Sequence, residues 1–251
     1  MKILSIDTSS KICSVAITEN ANTIVELCSH DEKTHSIKLM PMIDEALSKA
    51  SLTLDDIDLL ACCIGPGSFT GVRIGIATAK AFADVKNIPV TGLTSLEGLA
   101  YNLIRSSASL VEVENTLFCS MIDAKNSNVY CGLYCYSNNC LTQIADLMAE
   151  HIDTVISKIN TFVSSTDTNL KHIHFVGDGA CIYQDLLKQK ISNTSLTFAQ
   201  ESQNEASGIS IANCGYAKYK NGDYGTSTIL SPLYLRKSQA ERELEEKQNS
   251  K

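Results

Sequence analysis

Two short stretches combine residue types and spacing that suit anion chemistry, and a third is glycine-rich without a phosphate-binding pattern. Asp7-Thr8-Ser9-Ser10 ends an apolar run. A turn of that composition offers hydroxyls and backbone N–H groups that can cradle a phosphate, or it simply closes a hairpin as an Asx- or ST-type turn. Gly177-Asp178-Gly179 lies between an apolar run and a helical one. The helix N-terminus there either faces an anion or follows a tight strand-to-helix turn. Gly65-Pro66-Gly67-Ser68-Phe69-Thr70-Gly71 is glycine-rich, but no GK[ST] follows it, which separates it from a P-loop. Beyond it Gly71, Gly75 and Ala79 fall four apart and share a helix face. A face without side chains lets another helix approach closely, or lets this helix lie close on its own sheet; the spacing leaves both open. Arg73 and Lys80 share a different face with Ala77. His35 opens a helix, and a single His cannot hold a catalytic metal. His172 and His174 lie two apart on one strand face without an obvious third ligand. No Ser/His/Asp or Cys/His set emerges.

These residues need elements to hold them. Ile3 to Asp7, Ile12 to Thr18 and Thr23 to Cys28 read as strands. His35 to Ala50 has Ile37, Met40, Ile43 and Leu47 at helical spacing, with Pro41 predicting a kink or a second helix start. A buried strand over Asp55 to Cys63, a helix over Thr70 to Val85, a strand over Ile88 to Gly92 and a helix over Thr94 to Ile104 complete β-β-β-α-β-α-β-α. The second half restarts with strands at Leu117 to Asp123 and Val129 to Tyr136, then a segment from Leu141 to Ile144. A helix from Ala149 to Val163, a strand from His172 to Val176 and helices from Ala180 to Lys190 and Ser207 to Tyr219 follow. Ile6-Asp7 and Ile122-Asp123 each close a strand just before another begins, an echo that points to an internal repeat. The expected architecture is α/β in two lobes. Residues 1–105 form the first, with a helix at 207–220 returning to it; 106–206 form the second; 238–251 form a charged, frayed tail.

A chain of 251 residues buries enough surface to fold without metal or disulfide staples. Its formal net charge of −7 argues against a stand-alone nucleic-acid binder, which needs a basic face to release counterions. The start MKILSIDTSS does not read as a signal peptide, and no apolar run approaches the ~20 residues of a membrane helix. The expectation is a cytoplasmic protein whose ten Cys are free thiols. Cys131, Cys135 and Cys140 lack paired CxxC spacing and a nearby His.

The stretch from Gly65 to Gly75 closely resembles the signature of the TsaB (YeaZ) family. Three further segments agree in order: Ile6-Asp7-Thr8-Ser9, His35-Ser36 through Leu39-Met40-Pro41-Met42-Ile43-Asp44, and Pro232-Leu233-Tyr234-Leu235-Arg236. The resemblance implies the duplicated βββαβαβα fold of the actin/hexokinase/Hsp70-like class. It also implies a scaffold role in making N6-threonylcarbamoyladenosine at position 37 of tRNAs that read ANN codons. TsaD, the transferase, is the implied main partner, with the ATPase TsaE joining them and TsaC making the threonylcarbamoyl-adenylate. TsaD relatives hold metal with a segment of the type H-x-E-G-H. The matching stretch here is Ser95-Leu96-Glu97-Gly98-Leu99, so neither ligand position carries a good ligand. The resemblance therefore implies no catalytic residues, no bound metal and no intrinsic cofactor. ATP or ADP is expected to bind weakly at Asp7, Thr8, Ser9, Asp123 and Gly177, or at the interface with TsaD. Docking on TsaD, or on a second copy when TsaD is absent, is expected through two helices that carry Ile37, Met40, Ile43, Leu47, Gly71, Arg73, Ile74, Gly75, Ala77, Ala79 and Lys80. tRNA is reached only through the complex. A small kinase of the same superfamily is the alternative; a peptidase, after relatives named glycoproteases, lacks a nucleophile–His pair.

Overall fold

The computed structural model describes residues 1–31, 34–107, 116–137, 140–165, 172–192 and 194–236. The charged tail at 238–251 lies outside them. The first lobe is a five-stranded sheet. Strands β1 (Lys2–Asp7), β2 (Cys13–Glu19) and β3 (Asn22–Ser29) form an antiparallel meander, and β4 (Leu59–Gly65) and β5 (Val90–Thr94) continue it in parallel. The order is β3-β2-β1-β4-β5. Parallel neighbours need crossovers. Helix α1 (His35–Lys49) leads into β4, and α2 (Phe69–Lys86) joins β4 to β5. Helix α3 (Ser95–Ser106) follows directly, its start fixed by a capping box between Thr94 and Glu97.

The second lobe repeats this plan. Strands β6 (Thr116–Asp123), β7 (Asn128–Ser137) and β8 (Cys140–Gln143) are antiparallel. Strands β10 (His172–Val176) and β11 (Ser195–Phe198) then add in parallel beside β6. The order β8-β7-β6-β10-β11 matches that of the first sheet strand for strand. The echo at Asp7 and Asp123 is thus a true structural repeat: this is a duplicated βββαβαβα unit. Helix α4 (Ile152–Ser165) precedes β10, the short helices α5 (Asp178–Ile182) and α6 (Gln184–Lys190) join β10 to β11, and α7 (Gly208–Lys220) ends the unit as α3 ends the first.

Helices α3 and α7 lie at the meeting of the lobes. One face of the first sheet packs on α1 and α2 through Leu4, Ile6, Val15, Leu39, Ile43 and Ile76. Its other face packs on α7 and on Tyr101 of α3. Leu96, Leu99, Ala100 and Leu103 of α3 pack in turn on Phe118, Tyr134 and Val176 of the second sheet. Helix α7 is held down at its start, where the Ser5 hydroxyl donates to the Gly208 carbonyl (2.7 Å) and Ser14 Oγ accepts from Gly208 N (2.8 Å). Glu26 accepts from Ser207 Oγ and Ile209 N at the same end.

Several local expectations are corrected. Helix α1 is one element from His35 to Lys49, so Pro41 does not start a second helix, and Pro41 lies on the exposed side. The helix expected from Ala149 starts at Ile152, because Met148–His151 pairs as β9 with Asn128–Cys131 of β7. The helix expected over Ala180 to Lys190 is two, divided at Tyr183. Strand β11, which is not among the expected elements, alternates Ser-Leu-Thr-Phe and pairs in parallel with β10. Every Cys among the described residues is a free thiol.

Candidate functional site

The turn after β1 faces inward. Asp7, Thr8 and Ser9 are all buried. Asp7 Oδ1 accepts from Ser9 N (2.9 Å) and Ser9 Oγ (2.7 Å), and Thr8 Oγ1 donates to the Gly71 carbonyl (2.7 Å). The loop before α2 closes over them: Ser68 N donates to the Ser9 carbonyl at 2.7 Å. A Cβ on Gly67 would run into that carbonyl, and one on Gly71 would strike the carbonyl of Thr8. Burial lifts the Asp7 pKa above the usual carboxylate range, against the opposing pull of the Ser9 bonds. The Asp7, Thr8 and Ser9 side chains are thus all engaged within the turn and with the loop that follows β4. The turn is of the Asx type, with Asp7 Oδ1 accepting from Ser9 N, and it seats the glycine-rich loop.

The equivalent turn of the second lobe is more open. Asp123 accepts from Lys125 N (3.1 Å) and pairs with Lys125 Nζ (2.8 Å), while its own N–H donates to Asp178 Oδ1 (3.0 Å). Gly177 has φ +103, and a Cβ there would collide with the Met121 carbonyl. Its N–H donates to Asn204 Oδ1 at 2.7 Å. Asp123 and Gly177 therefore do come together, in a tight strand-to-helix junction.

The stretch from Ser95 to Leu99 opens α3 between the two turns. The Ser95 hydroxyl donates to the Pro66 carbonyl at 2.5 Å, and the Leu99 side chain is buried in the lobe–lobe seam, where its Cδ1 lies 3.0 Å from the place a Gly177 Cβ would take. Glu97 Oε2 caps the helix through Thr94 N (2.7 Å) and Oγ1 (2.9 Å), and its other oxygen pairs with Lys218 Nζ at 3.0 Å. Gly98 lets Ile211 of α7 approach. Among the described residues no group of three His, Cys, Asp or Glu is arranged to hold a metal. His35, expected at a helix start or the surface, opens α1 buried, with Nε2 2.9 Å from the Ser10 carbonyl. His172 and His174 are neighbours on β10; burial lowers the pKa of His174 to about 4, with His172 adding to the shift.

Residues 28–244 match the family model described as TsaD, tRNA N6-adenosine threonylcarbamoyltransferase. A protein of Buchnera aphidicola subsp. Schizaphis graminum described as tRNA threonylcarbamoyladenosine biosynthesis protein TsaB is 34% identical over 177 residues, 70% of this chain and 78% of that one. The chain belongs to that family, in its TsaB (YeaZ) branch. TsaB of Bacillus subtilis is 35% identical over 144 residues, 57% of this chain and 59% of the relative. TsaB of Escherichia coli is 36% identical over 136 residues, 53% and 55%. The chain thus spans little more than half the length of these two relatives. The solved structure of YeaZ from Pseudomonas aeruginosa superposes with a TM-score of 0.74, covering 93% of this chain and 99% of that one at 22% identity, a likeness of fold.

The TsaB signature residues divide between core and surface. Gly71, Gly75 and Ala79, the small-residue face, turn inward: a Cβ on Gly75 would strike Thr8 Oγ1 and lie 3.4 Å from Ile6 Cγ2, and Ala79 is fully buried. Of the two readings the spacing allowed, the close approach is to the chain's own β1. Ile43 is likewise in the core, and Leu47 packs against it half-buried. The docking face expected above therefore loses Gly71, Gly75, Ala79 and Ile43, while Leu47 stays half-buried at its margin. What remains outward is Ile37 (71% exposed), Met40 (50%), Arg73 and Ala77, with Ile74 and Lys80 half-buried. The residues missed from the sequence are Phe69 and Tyr234, whose rings stack at 4.5 Å beside Arg73. Both lie in TsaB segments, but nothing in their spacing links two segments so far apart along the chain. Among the described residues no helix is long and apolar enough to cross a membrane.

Proposed function

We propose that this chain is a non-catalytic cytoplasmic subunit for the synthesis of N6-threonylcarbamoyladenosine at position 37 of tRNA, docking and supporting the transferase TsaD together with TsaE and TsaC. The observation that carries this reading is the use made of Ser95 and Leu99. At the two positions where a transferase of this family would present metal-binding histidines, one side chain is spent on the Pro66 carbonyl and the other fills the apolar seam between the lobes. Supporting observations are the apolar residues left outward on α1 and α2 and the acidic charge, which leaves tRNA to a partner. Met40 and Ile37 provide adaptable and bulky anchors for either TsaD or a second copy. ATP or ADP, on this reading, is held jointly with TsaD and not by the Asp7 turn.

The test is reconstitution. Purified TsaC, TsaD and TsaE are incubated with ATP, bicarbonate, threonine and unmodified tRNA, with and without this chain. Modification is expected only when the chain is present and capturable on TsaD, and the chain alone is expected to give none. Modification by the chain alone, or modification indifferent to its omission, overturns the proposal.

A further inference from the structure

After α7 the chain returns across both lobes as a strap. It first covers the free edge of β5, where Val90 N donates to the Gly225 carbonyl (2.8 Å) and Gly225 N to the Val90 carbonyl (3.0 Å). Leu230 is then fully buried in the first-lobe core, and Leu233 N donates to the carbonyl of Ile64 at the end of β4 (2.8 Å). Next, the Tyr234 ring stacks on Phe69, and Arg73 holds both: its Nε donates to the Tyr234 hydroxyl (2.6 Å) and its guanidinium sits 3.9 Å from the Phe69 centroid. Two residues on, Arg236 crosses to the second lobe and donates to the Ala124 carbonyl at 2.9 Å.

We propose that residues 225–236 form a clasp that sets the angle between the two lobes, with Tyr234 as its latch and Arg236 as its pin. The argument is geometric. Between α3 and the second sheet the seam is apolar, and apolar contact is non-directional. Its directional bonds lie toward the other end of α3, where Asn102 Nδ2 donates to the Gln203 and Glu205 carbonyls (2.8 and 2.7 Å) and Gln203 Nε2 to Ser106 Oγ (2.5 Å), and Arg236 adds one at the Ala124 turn. A guanidinium–carbonyl bond is directional and charge-assisted, so it specifies one position of the turn it holds. Arg236 can specify that position only if its own backbone is fixed. The residues that fix it, Leu233 and Tyr234, are anchored in the first lobe. The turn it holds runs Ala124-Lys125-Asn126-Ser127, and Lys125, Asn126 and Ser127 all have left-handed φ (64, 53 and 57). A turn of that kind has few alternative conformations through which to absorb a displaced pin. Phe69 and Tyr234 are 38% and 43% exposed, so the latch is one that can open without unfolding either core. This holds whether or not the α1–α2 face docks a partner.

The experiment is hydrogen–deuterium exchange of the full chain, read by mass spectrometry, for wild type, Tyr234→Ala and Arg236→Gln. The clasp predicts at least threefold faster exchange over residues 123–128 in Tyr234→Ala, although the contacts of Tyr234 described above all lie in the first lobe. Arg236→Gln should give the same deprotection while residues 230–234 stay as in wild type. Exchange of Val90 and Gly225 should be unchanged in both, because the strap's upstream anchor is untouched. Small-angle scattering should show a larger radius of gyration in each variant. Faster exchange confined to 225–236, with 123–128 unaffected, overturns the clasp and leaves a simple cover for the edge of β5. If Tyr234→Ala fails to fold, Arg236→Gln alone decides.

Discussion

Gly75→Ala should destabilise this protein, although the same change stabilises most helices. In an exposed helix interior the replacement gains about 1 kcal/mol in propensity. Here the new methyl would be driven into Thr8 Oγ1, the hydroxyl that donates to the Gly71 carbonyl. Overpacking a close-fitted core costs roughly 1–3 kcal/mol. Displacing the hydroxyl from its buried acceptor costs about 1–3 kcal/mol more. The net loss is then about 3 kcal/mol, and for a chain of this length that lowers Tm by roughly 6–12 °C. Urea titration followed by circular dichroism gives the value directly, with an unchanged m confirming that the native state alone is affected. The decisive control is Thr8→Ala. Without Oγ1 the nearest neighbour of the new methyl is Ile6 Cγ2 at 3.4 Å, an ordinary contact. In that background Gly75→Ala should stabilise by about 1 kcal/mol, reversing sign. A stabilising Gly75→Ala in the wild type, or an effect independent of residue 8, would refute the inward reading of this helix face.

Asp7→Asn should raise stability at pH 7, with the gain vanishing toward pH 3. The folded pKa is raised by burial, so as pH climbs past the ordinary value of 3.8 the unfolded chain loses its proton first and the native state falls behind; urea midpoints across pH 3–8 check this, and parallel curves for the two proteins contradict it. His174 has a folded pKa lowered to about 4, so stability should fall as pH drops from about 6.5, where the unfolded imidazole takes up its proton, toward 4. His174→Gln should flatten that limb of the curve. Leu99→Ala should cost about 2–5 kcal/mol in urea, because the side chain fills the seam between α3 and the second sheet; a cost under about 1 kcal/mol would mean that the seam is loose. Ile37→Glu together with Met40→Glu should leave the melting curve near wild type while abolishing capture on TsaD, since both side chains face solvent in the free chain.

Local chemistry determined a great deal of this protein by itself. Period-2 and period-3.6 patterns are written within a few residues, so the first lobe's strands and helices could be read in order, and so could the repeat at Asp7 and Asp123. The eleven residues from Gly65 to Gly75 carried the family. Where pairing partners lie far away, the reading failed: Met148–His151 has no strand signature of its own and becomes β9 by pairing with Asn128–Cys131. The same limit governed the site. Spacing puts Gly71, Gly75 and Ala79 on one face, but whether that face meets a partner or β1 depends on what lies opposite, and only the tertiary structure places Thr8 there. Composition marks Asp7-Thr8-Ser9 as a polar turn, but burial and the closure of Ser68 over Ser9 decide that its hydroxyls serve the fold. Phe69, Arg73 and Tyr234 are joined by stacking and a single hydrogen bond across most of the chain's length. Contacts of that kind leave no periodicity in a sequence, because they depend on where two distant segments end up in space and not on the spacing of residues within either.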